Sequence, residues 1–282
     1  SRAGVFKVAL INPSMPVPQT TPRYPLDAFD LVAEADTPLL QSPIAGLAPT
    51  YHQIAEHIAG LIEDGDTLQF GLGNIQHAVL EALTSHRNLR LHAGMISTPL
   101  LGLLDAGALQ DGPGSVATGI AIGTEALYAR AAEDPRFRFA PVSWTHAIYT
   151  LSAIPNLKAV NSAIEVDLFG QANAEFIGGR QVSGAGGLVD FLRGAALSPG
   201  GRGVVALAST ARRGTVSRIV PRLAADATTI TRADVETVVT EHGVADLRGK
   251  TIEERAEALI SISAPEFRSD LSDDWADMQR AQ

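Results

Sequence analysis

The sequence predicts an α/β protein built on an open, mostly parallel sheet flanked by helices. Three observations carry that prediction. Short apolar runs alternate with helical stretches from residue 67 to residue 141, and such alternation builds parallel strand–helix–strand units with helices covering the sheet. Of the 282 residues, 45% are hydrophobic, with 26 glycines and 16 prolines, a composition that folds around a core instead of staying disordered. Finally, Thr251 with Glu254 three residues on forms a capping box that fixes the start of a helix in "TIEERAEALISIS".

Along the chain, "VFKVALINPSMPVPQ" has the pattern of a buried strand ending in a Pro-rich loop, and Pro22, Pro25, Pro38 and Pro43 then block regular helix. From Pro49 the text becomes regular: Ile54, Ile58, Leu61 and Ile62 mark one face of an amphipathic helix, closed by "EDGD". Strand "TLQFGLG" leads into helix "IQHAVLEALTSH", strand "LRLHAG" into helix "PLLGLLDAG", and strand "SVATGIAIG" into helix "TEALYARAAED", before strand "FRFAP". Ser97 is expected to cap the helix that follows it. The second half holds strands in "LKAVNSAIEVDLFG", "GVVALAS", "SRIVP", "TTITR" and "ETVVTE", separated by the helices "GGLVDFLRGAAL" and 251–263. Residues 265–282 form an acidic, helical tail, and no repeat of fixed period runs through the chain.

Composition also sets exclusions. The formal net charge is -9 and the 22 Lys and Arg residues are scattered, whereas a nucleic-acid surface needs a concentrated basic patch. No apolar run reaches the ~18–20 residues that span a bilayer, and no charged-then-apolar leader opens the chain, so neither a membrane partner nor export is expected and the cytoplasm is the expected compartment. There are no cysteines, which removes disulfides, thiolate nucleophiles and zinc–thiolate sites.

Several motifs bear on chemistry. "GLGNIQ" (71–76) follows a strand and opens a helix, but Gln76 stands where a dinucleotide fingerprint has its third glycine. Gly71 and Gly73 are better read as letting backbone approach a ligand or a neighbouring strand. The histidines of "HQIAEH" (52–57) are five apart, off a common helix face, so no metal site is expected. In "VSGAGGLVDFLRGAAL", Gly184, Gly186 and Gly187 precede a helix whose first turn carries Asp190. Unpaired N–H groups there would suit a developing oxyanion or an amide-bearing ligand; a tight turn into a packed helix is the plainer alternative. Alternation in "IEVDLF" puts Glu165 and Asp167 on one strand face. Asp167 is expected to be structural, with Glu165 and Glu175 left open as acid–base candidates.

Taken together, "GDTLQFGLGNIQHAVLEAL", "NSAIEVDLFGQANAEFIGGRQVSGAGGLVDFLRGAALSPGG", "SRIVP" and "VVTEHGVADLRGKTIEERAEALISI" resemble the acetyl-CoA hydrolase/transferase family, within the class I CoA-transferases that include 4-hydroxybutyrate and acetate CoA-transferases. The resemblance covers nearly the whole chain and rests on no single short motif. It implies two similar open α/β domains with the active site between them. Residues 1–45 then correspond to the last strand and linker of an otherwise missing N-terminal domain, and residues 46–282 to the complete C-terminal domain. The missing half-domain would come from a separate polypeptide or have been removed. An isolated strand such as "VFKVALINP" leaves unpaired edges, so it is expected to pair with something, and an oligomer is expected.

The family reaction uses a glutamate that attacks the acyl-CoA carbonyl and passes the acyl group through anhydride and glutamyl-CoA thioester intermediates. At the matching position, in "LHAGMIS", this chain has Gly94, and in "VSWTHA" His146 replaces a family asparagine. The glycine-lined cradle is retained: 52 residues separate position 94 from 146, and 41 separate 146 from 187, close to the family intervals. A carboxylate nucleophile cannot be replaced by glycine. Three readings follow. In the first, the protein acts on the CoA thioester of a small carboxylic acid by hydrolysis or other chemistry without a covalent enzyme intermediate. His146 is then the general base, with N–H groups around Gly186 and Gly187 holding the oxyanion. In the second, the chain is one subunit of a heteromeric transferase whose partner brings the nucleophile. In the third, it binds acyl-CoA without turning it over. His92 shares a strand face with Gly94 and is a second candidate base, and Arg218 is a candidate contact for a CoA phosphate or substrate carboxylate. Coenzyme A enters as a substrate thioester, and no tightly bound cofactor is expected.

Overall fold

The computed structural model describes residues 4–42, 46–224 and 228–281. Pro43 and residue 45, the expected domain boundary, lie outside them. Strand β1 (Val8–Ile11) pairs in parallel with β2 (Leu31–Glu34) in a ribbon of its own. The first apolar run therefore pairs along one edge within this chain, and Phe6, Leu10 and Leu31 remain exposed beside it.

The main body starts at α1 (Pro49–Ala59), whose first turn holds a proline where a missing N–H costs nothing. β3 (Thr67–Phe70), α2 (Asn74–Ala82), β4 (Arg90–Ser97), α3 (Leu100–Asp105), β5 (Val116–Ile122), α4 (Glu125–Glu133) and β6 (Phe137–Phe139) follow in the predicted alternation. Two short helices absent from the sequence prediction come next, α5 (Val142–Thr145) and α6 (Ile148–Ser152). Then come β7 (Leu157–Ser162), β8 (Glu165–Asp167), β9 (Ala172–Asn173) and the hairpin β10 (Phe176–Ile177) with β11 (Arg180–Gln181). The chain closes with α7 (Leu188–Leu197), β12 (Arg202–Ala206), β13 (Thr210–Ala211), β14 (Val216–Ser217), β15 (Ile219–Val220), β16 (Thr237–Thr240), β17 (Gly243–Asp246), α8 (Ile252–Ser261) and α9 (Arg268–Arg280).

Eight strands make one sheet in the order β17-β16-β12-β7-β3-β4-β5-β6, parallel except for the β16–β17 edge pair. From β3 the chain winds outward through β4, β5 and β6, then returns to the other side of β3 with β7, β12 and β16. The sheet therefore reverses between β3 and β7, and ligands of open α/β sheets bind outside the strand carboxyl ends at such a reversal. β3 is buried along its whole length, as a central parallel strand covered on both faces should be. One core cluster packs α1, α2 and α3 on one side of the sheet, and another packs α8 and α9 against β8, β12, β15 and β16. Among the described residues, no helix is long and apolar enough to cross a membrane.

The capping box of α8 forms as expected: the Thr251 side chain accepts from Glu254 N–H, and the Glu254 carboxylate accepts from Thr251 N–H at 2.7 Å. Three local expectations are corrected. Ser97 lies inside β4, which continues three residues past the predicted "LRLHAG", so it does not cap α3, whose N-cap is Pro99. "TTITR" makes only a single bridge, Ala172 to Ile230, and no strand. β17 forms from "GVAD" because an antiparallel edge strand needs little apolar signal when α8 covers it.

Asp167 is structural. It is 1% exposed and accepts from the backbone N–H groups of Phe169 (3.1 Å) and Gln171 (2.9 Å) and from the Gln171 side-chain amide (2.9 Å). Asp167→Ala would strand these buried donors, so a loss of about 3 kcal/mol is expected in a denaturant titration.

Candidate active site

The site lies at the carboxyl ends of β3, β4 and β7, where the sheet topology places it. A cleft of about 890 Å³ opens there, walled by the loop after β3, the end of β7, α5, the β10–β11 hairpin and the start of α7. Its floor is a set of neutral polar side chains. Gln69 and Asn161 pair through their amides, Asn161 Nδ2 donating to Gln69 Oε1 at 2.8 Å, and Gln76 Nε2 donates to Ser162 Oγ at 2.8 Å. Gln76 sits in the first turn of α2 and folds back towards its N-cap, Gly73, whose φ of 133° suits glycine. Among the described residues, buried Gln76 Oε1 has no hydrogen-bond partner. Apolar side chains form the walls, and Leu72, Ile120, Val142, Ile177 and Val182 line the cleft while also being exposed at its rim.

Gly94, His146 and Gly187 meet at the back of this cleft, although they come from three distant segments. A Cβ at Gly94 would stand 2.7 Å from His146 Cε1 and 2.8 Å from Nε2. One at Gly187 would strike the same ring, at Cδ2 and Nε2. Absence of side chains at both positions is therefore what admits the imidazole. The ring also packs on Phe191 of α7, with centroids 4.7 Å apart and planes tilted by 54°. Gly186 has φ +53° and Gly187 has φ −92°, ψ 9°. This left-handed then right-handed succession turns consecutive N–H groups to one side, making a nest for negative charge. Gly184, Gly186 and Gly187 all line the cleft, as does Gly71.

Behind the ring stands a second layer, of which sequence reasoning named only His92. The fully buried Thr145 ends α5, and its Oγ1 lies 2.8 Å from His146 Nδ1. His92, only 4% exposed, donates its Nε2–H to the Thr145 carbonyl at 2.9 Å and tilts against Trp144 at 4.9 Å. The Arg138 guanidinium lies over the other partner of that stack, 4.3 Å from the Trp144 ring centre. His92 thus backs the site without lining the cleft. Arg218 is not brought to the cleft; its backbone bridges the Ser209 carbonyl and Val166 N–H. Glu165 and Glu175 are also outside the lining, engaged by Asn173 and Thr229 respectively. Among the described residues no cluster with metal-binding composition occurs.

Burial holds both imidazoles below the usual histidine range. For His146 the Asp190 carboxylate works against that effect. For His92 the Thr145 carbonyl opposes it, and the neighbouring His146 and Arg138 add to the depression. With proton affinity lower in the folded state, the unfolded chain binds more protons as pH falls through the ordinary value of about 6.5, so stability decreases on acidification below that point. Denaturation midpoints at pH 7 and pH 5 are expected to diverge less for His92→Gln than for the unaltered protein.

A mostly parallel sheet with a glycine-lined cleft at the strand carboxyl ends, over its point of reversal, defines an α/β protein of the open-sheet class. The chain belongs to the acetyl-CoA hydrolase/transferase family: residues 123–275 match that family's C-terminal domain. It is 39% identical over 274 residues to the 4-hydroxybutyrate coenzyme A transferase of Clostridium kluyveri, covering 95% of this chain and 64% of that protein. Among solved structures, RipA from Yersinia pestis superposes with a TM-score of 0.90 at 31% identity, over 96% of this chain and 63% of that one. The 4-hydroxybutyrate CoA-transferase of Porphyromonas gingivalis gives 0.83 at 34% identity, over 98% and 66%. The chain thus spans about two thirds of the length of these proteins, and the resemblance drawn from the sequence is established at the level of family and fold.

Proposed function

We propose that this chain binds the CoA thioester of a small carboxylic acid in the cleft and processes it without storing the acyl group on the protein. The observation that carries this reading is the His146 ring standing where any side chain at position 94 would begin. The acyl carbonyl fits the niche bounded by Gly94, His146 and Gly187, its oxygen directed to the nest at Gly186 and Gly187 and to His146 Nε2. Donors aimed at a developing oxyanion are worth about 10²–10³ each in rate. The attacking group then comes from outside the chain's own side chains: water, which makes the reaction hydrolysis, or a carboxylate. Acyl-CoA turnover followed by quenching with hydroxylamine or borohydride tests this, with product expected and no acyl label on the protein. His146→Gln is expected to lower turnover by about 10²–10³. A label on this polypeptide would overturn the reading.

A second reading is favoured by the exposed apolar surface of the β1–β2 ribbon and the cleft rim, which a further domain or polypeptide would cover. In it, a partner's carboxylate enters the same niche and forms the covalent intermediate. The trapping experiment separates the two, because the label would then appear on the second polypeptide.

A further inference from the structure

We infer that the acyl acceptor at this site is a carboxylate that attacks the bound thioester directly in a ternary complex, because His146 faces the cleft as a hydrogen-bond donor and not as a base. The inference rests on the acyl-CoA reading above and specifies its nucleophile.

The argument begins at Thr145. Its hydroxyl is fully buried, and a buried O–H must donate to something. Among the described residues its hydrogen-bond partner is His146 Nδ1, at 2.8 Å, and the backbone carbonyl of Thr145 is occupied by His92. With the hydroxyl donating to Nδ1, that nitrogen supplies the lone pair. A neutral imidazole then carries its proton on Nε2, the atom beside the Gly94 and Gly187 niche. Burial keeps the ring neutral, Asp190 of α7 being the nearby charge that opposes this; His92 of β4 and the Arg138–Trp144 pair stand behind it.

An Nε2–H polarises a carbonyl and stabilises an oxyanion, but it cannot take a proton from water. Water needs a base to become a competent nucleophile. A carboxylate is already anionic and needs none. The cleft floor suits such a second reactant: the amide groups of Gln69, Gln76 and Asn161 each retain an N–H beyond those in their mutual contacts, and the Ser162 hydroxyl accepts from Gln76 with its own proton unspent. These donors sit on β3, α2 and β7, beside the strand that carries Gly94.

The chemistry balances with no proton transferred. A carboxylate oxygen of the acceptor acid bonds to the acyl carbon, the carbon–sulfur bond breaks, and CoA leaves as thiolate, giving a mixed anhydride. The thiolate then adds to the acceptor's carbonyl carbon, and the bridging carbon–oxygen bond on that side breaks. The products are the acceptor's CoA thioester and the donor's carboxylate, which keeps one oxygen from the acceptor.

The test uses the protein as it exists, with acetyl-CoA as donor and ¹⁸O-labelled butyrate as acceptor. Expected results are butyryl-CoA formation that depends on both reactants with an intersecting initial-rate pattern, one ¹⁸O in the released acetate from the first turnover, and no acyl-protein adduct. ¹⁵N NMR should show His146 neutral with the proton on Nε2. Thr145→Val should shift the tautomer and lower transfer by about tenfold, the scale of one buried hydrogen bond, with Thr145→Ser retaining both. Thiol release independent of butyrate would overturn the inference, as would an Nδ1–H tautomer or hydrolysis lost in Asp190→Asn. Hydrolysis of acetyl-CoA with no transfer to butyrate overturns this inference alone; failure to bind acetyl-CoA or to turn it over removes the underlying reading with it.

Discussion

Gly94→Glu combined with His146→Asn is expected to yield a protein that traps an acyl group covalently, whereas Gly94→Glu alone is not. The single change places a Cβ 2.7 Å from the His146 ring, closer than carbon atoms pack, and the rest of the glutamate would have to share the same niche. Imidazole and glutamate then crowd one niche that Phe191 and Thr145 also bound, so overpacking should cost about 1–3 kcal/mol and point the new carboxylate away from the nest. Asparagine at 146 is shorter and keeps an amide donor. It leaves room for the carboxylate beside Gly186 and Gly187, where a covalent intermediate forms with the oxyanion already stabilised. The measurement is hydroxylamine or borohydride trapping after acyl-CoA addition, with the modified peptide located by mass spectrometry. An adduct at position 94 in the single variant would show that the glutamate and the imidazole fit the niche together, and the steric account of this site would fail. So would a double variant that binds acyl-CoA but never labels.

The strand–helix alternation from 67 to 141 was legible because each strand is a short apolar run and each helix has a periodic apolar face, both local signals. "GVAD" was not, because an edge strand is specified by the β16 backbone it joins. "TTITR" has strand composition, yet its pairing stops at one isolated bridge, Ile230 to Ala172. For the site, the glycine nest could be read as a run of three glycines before a helix. Gly94 and His146 could be placed only through the family intervals, since no periodicity tells that residues 94, 146 and 187 converge. Thr145 carried a weaker signal: a threonine ending a short helix beside a candidate histidine looks like any surface residue until its burial is known. Arg218 shows the opposite failure. Its charge suggested a phosphate contact, but β8 and β15 are pinned elsewhere by their pairing, and that pairing keeps it from the cleft.

Gly187→Ala should separate the site from the fold more sharply than any change to a catalytic side chain. The backbone at Gly187 has φ −92° and ψ 9°, which alanine adopts without left-handed strain, so the effect is almost purely that of one methyl group. That methyl would press on His146 Cδ2 and Nε2 and stand 3.1 Å from Phe191 Cε2. Phe191 is buried in the core and cannot retreat, whereas the half-buried His146 can swing towards the cleft. The ring is therefore expected to leave the niche, breaking its contact with Thr145 and removing the Nε2 donor from the carbonyl. Turnover should fall by about 10²–10³, the loss expected for one oxyanion donor, with stability changed by no more than about 1–3 kcal/mol. Gly102→Ala serves as the comparison: a Cβ there meets nothing within 4 Å, and alanine in the interior of α3 should stabilise by about 0.5–1 kcal/mol with turnover unaffected. If Gly187→Ala kept full turnover while ¹⁵N NMR showed the His146 ring displaced, the imidazole would have no part in the chemistry, and the nest backbone alone would have to stabilise the oxyanion.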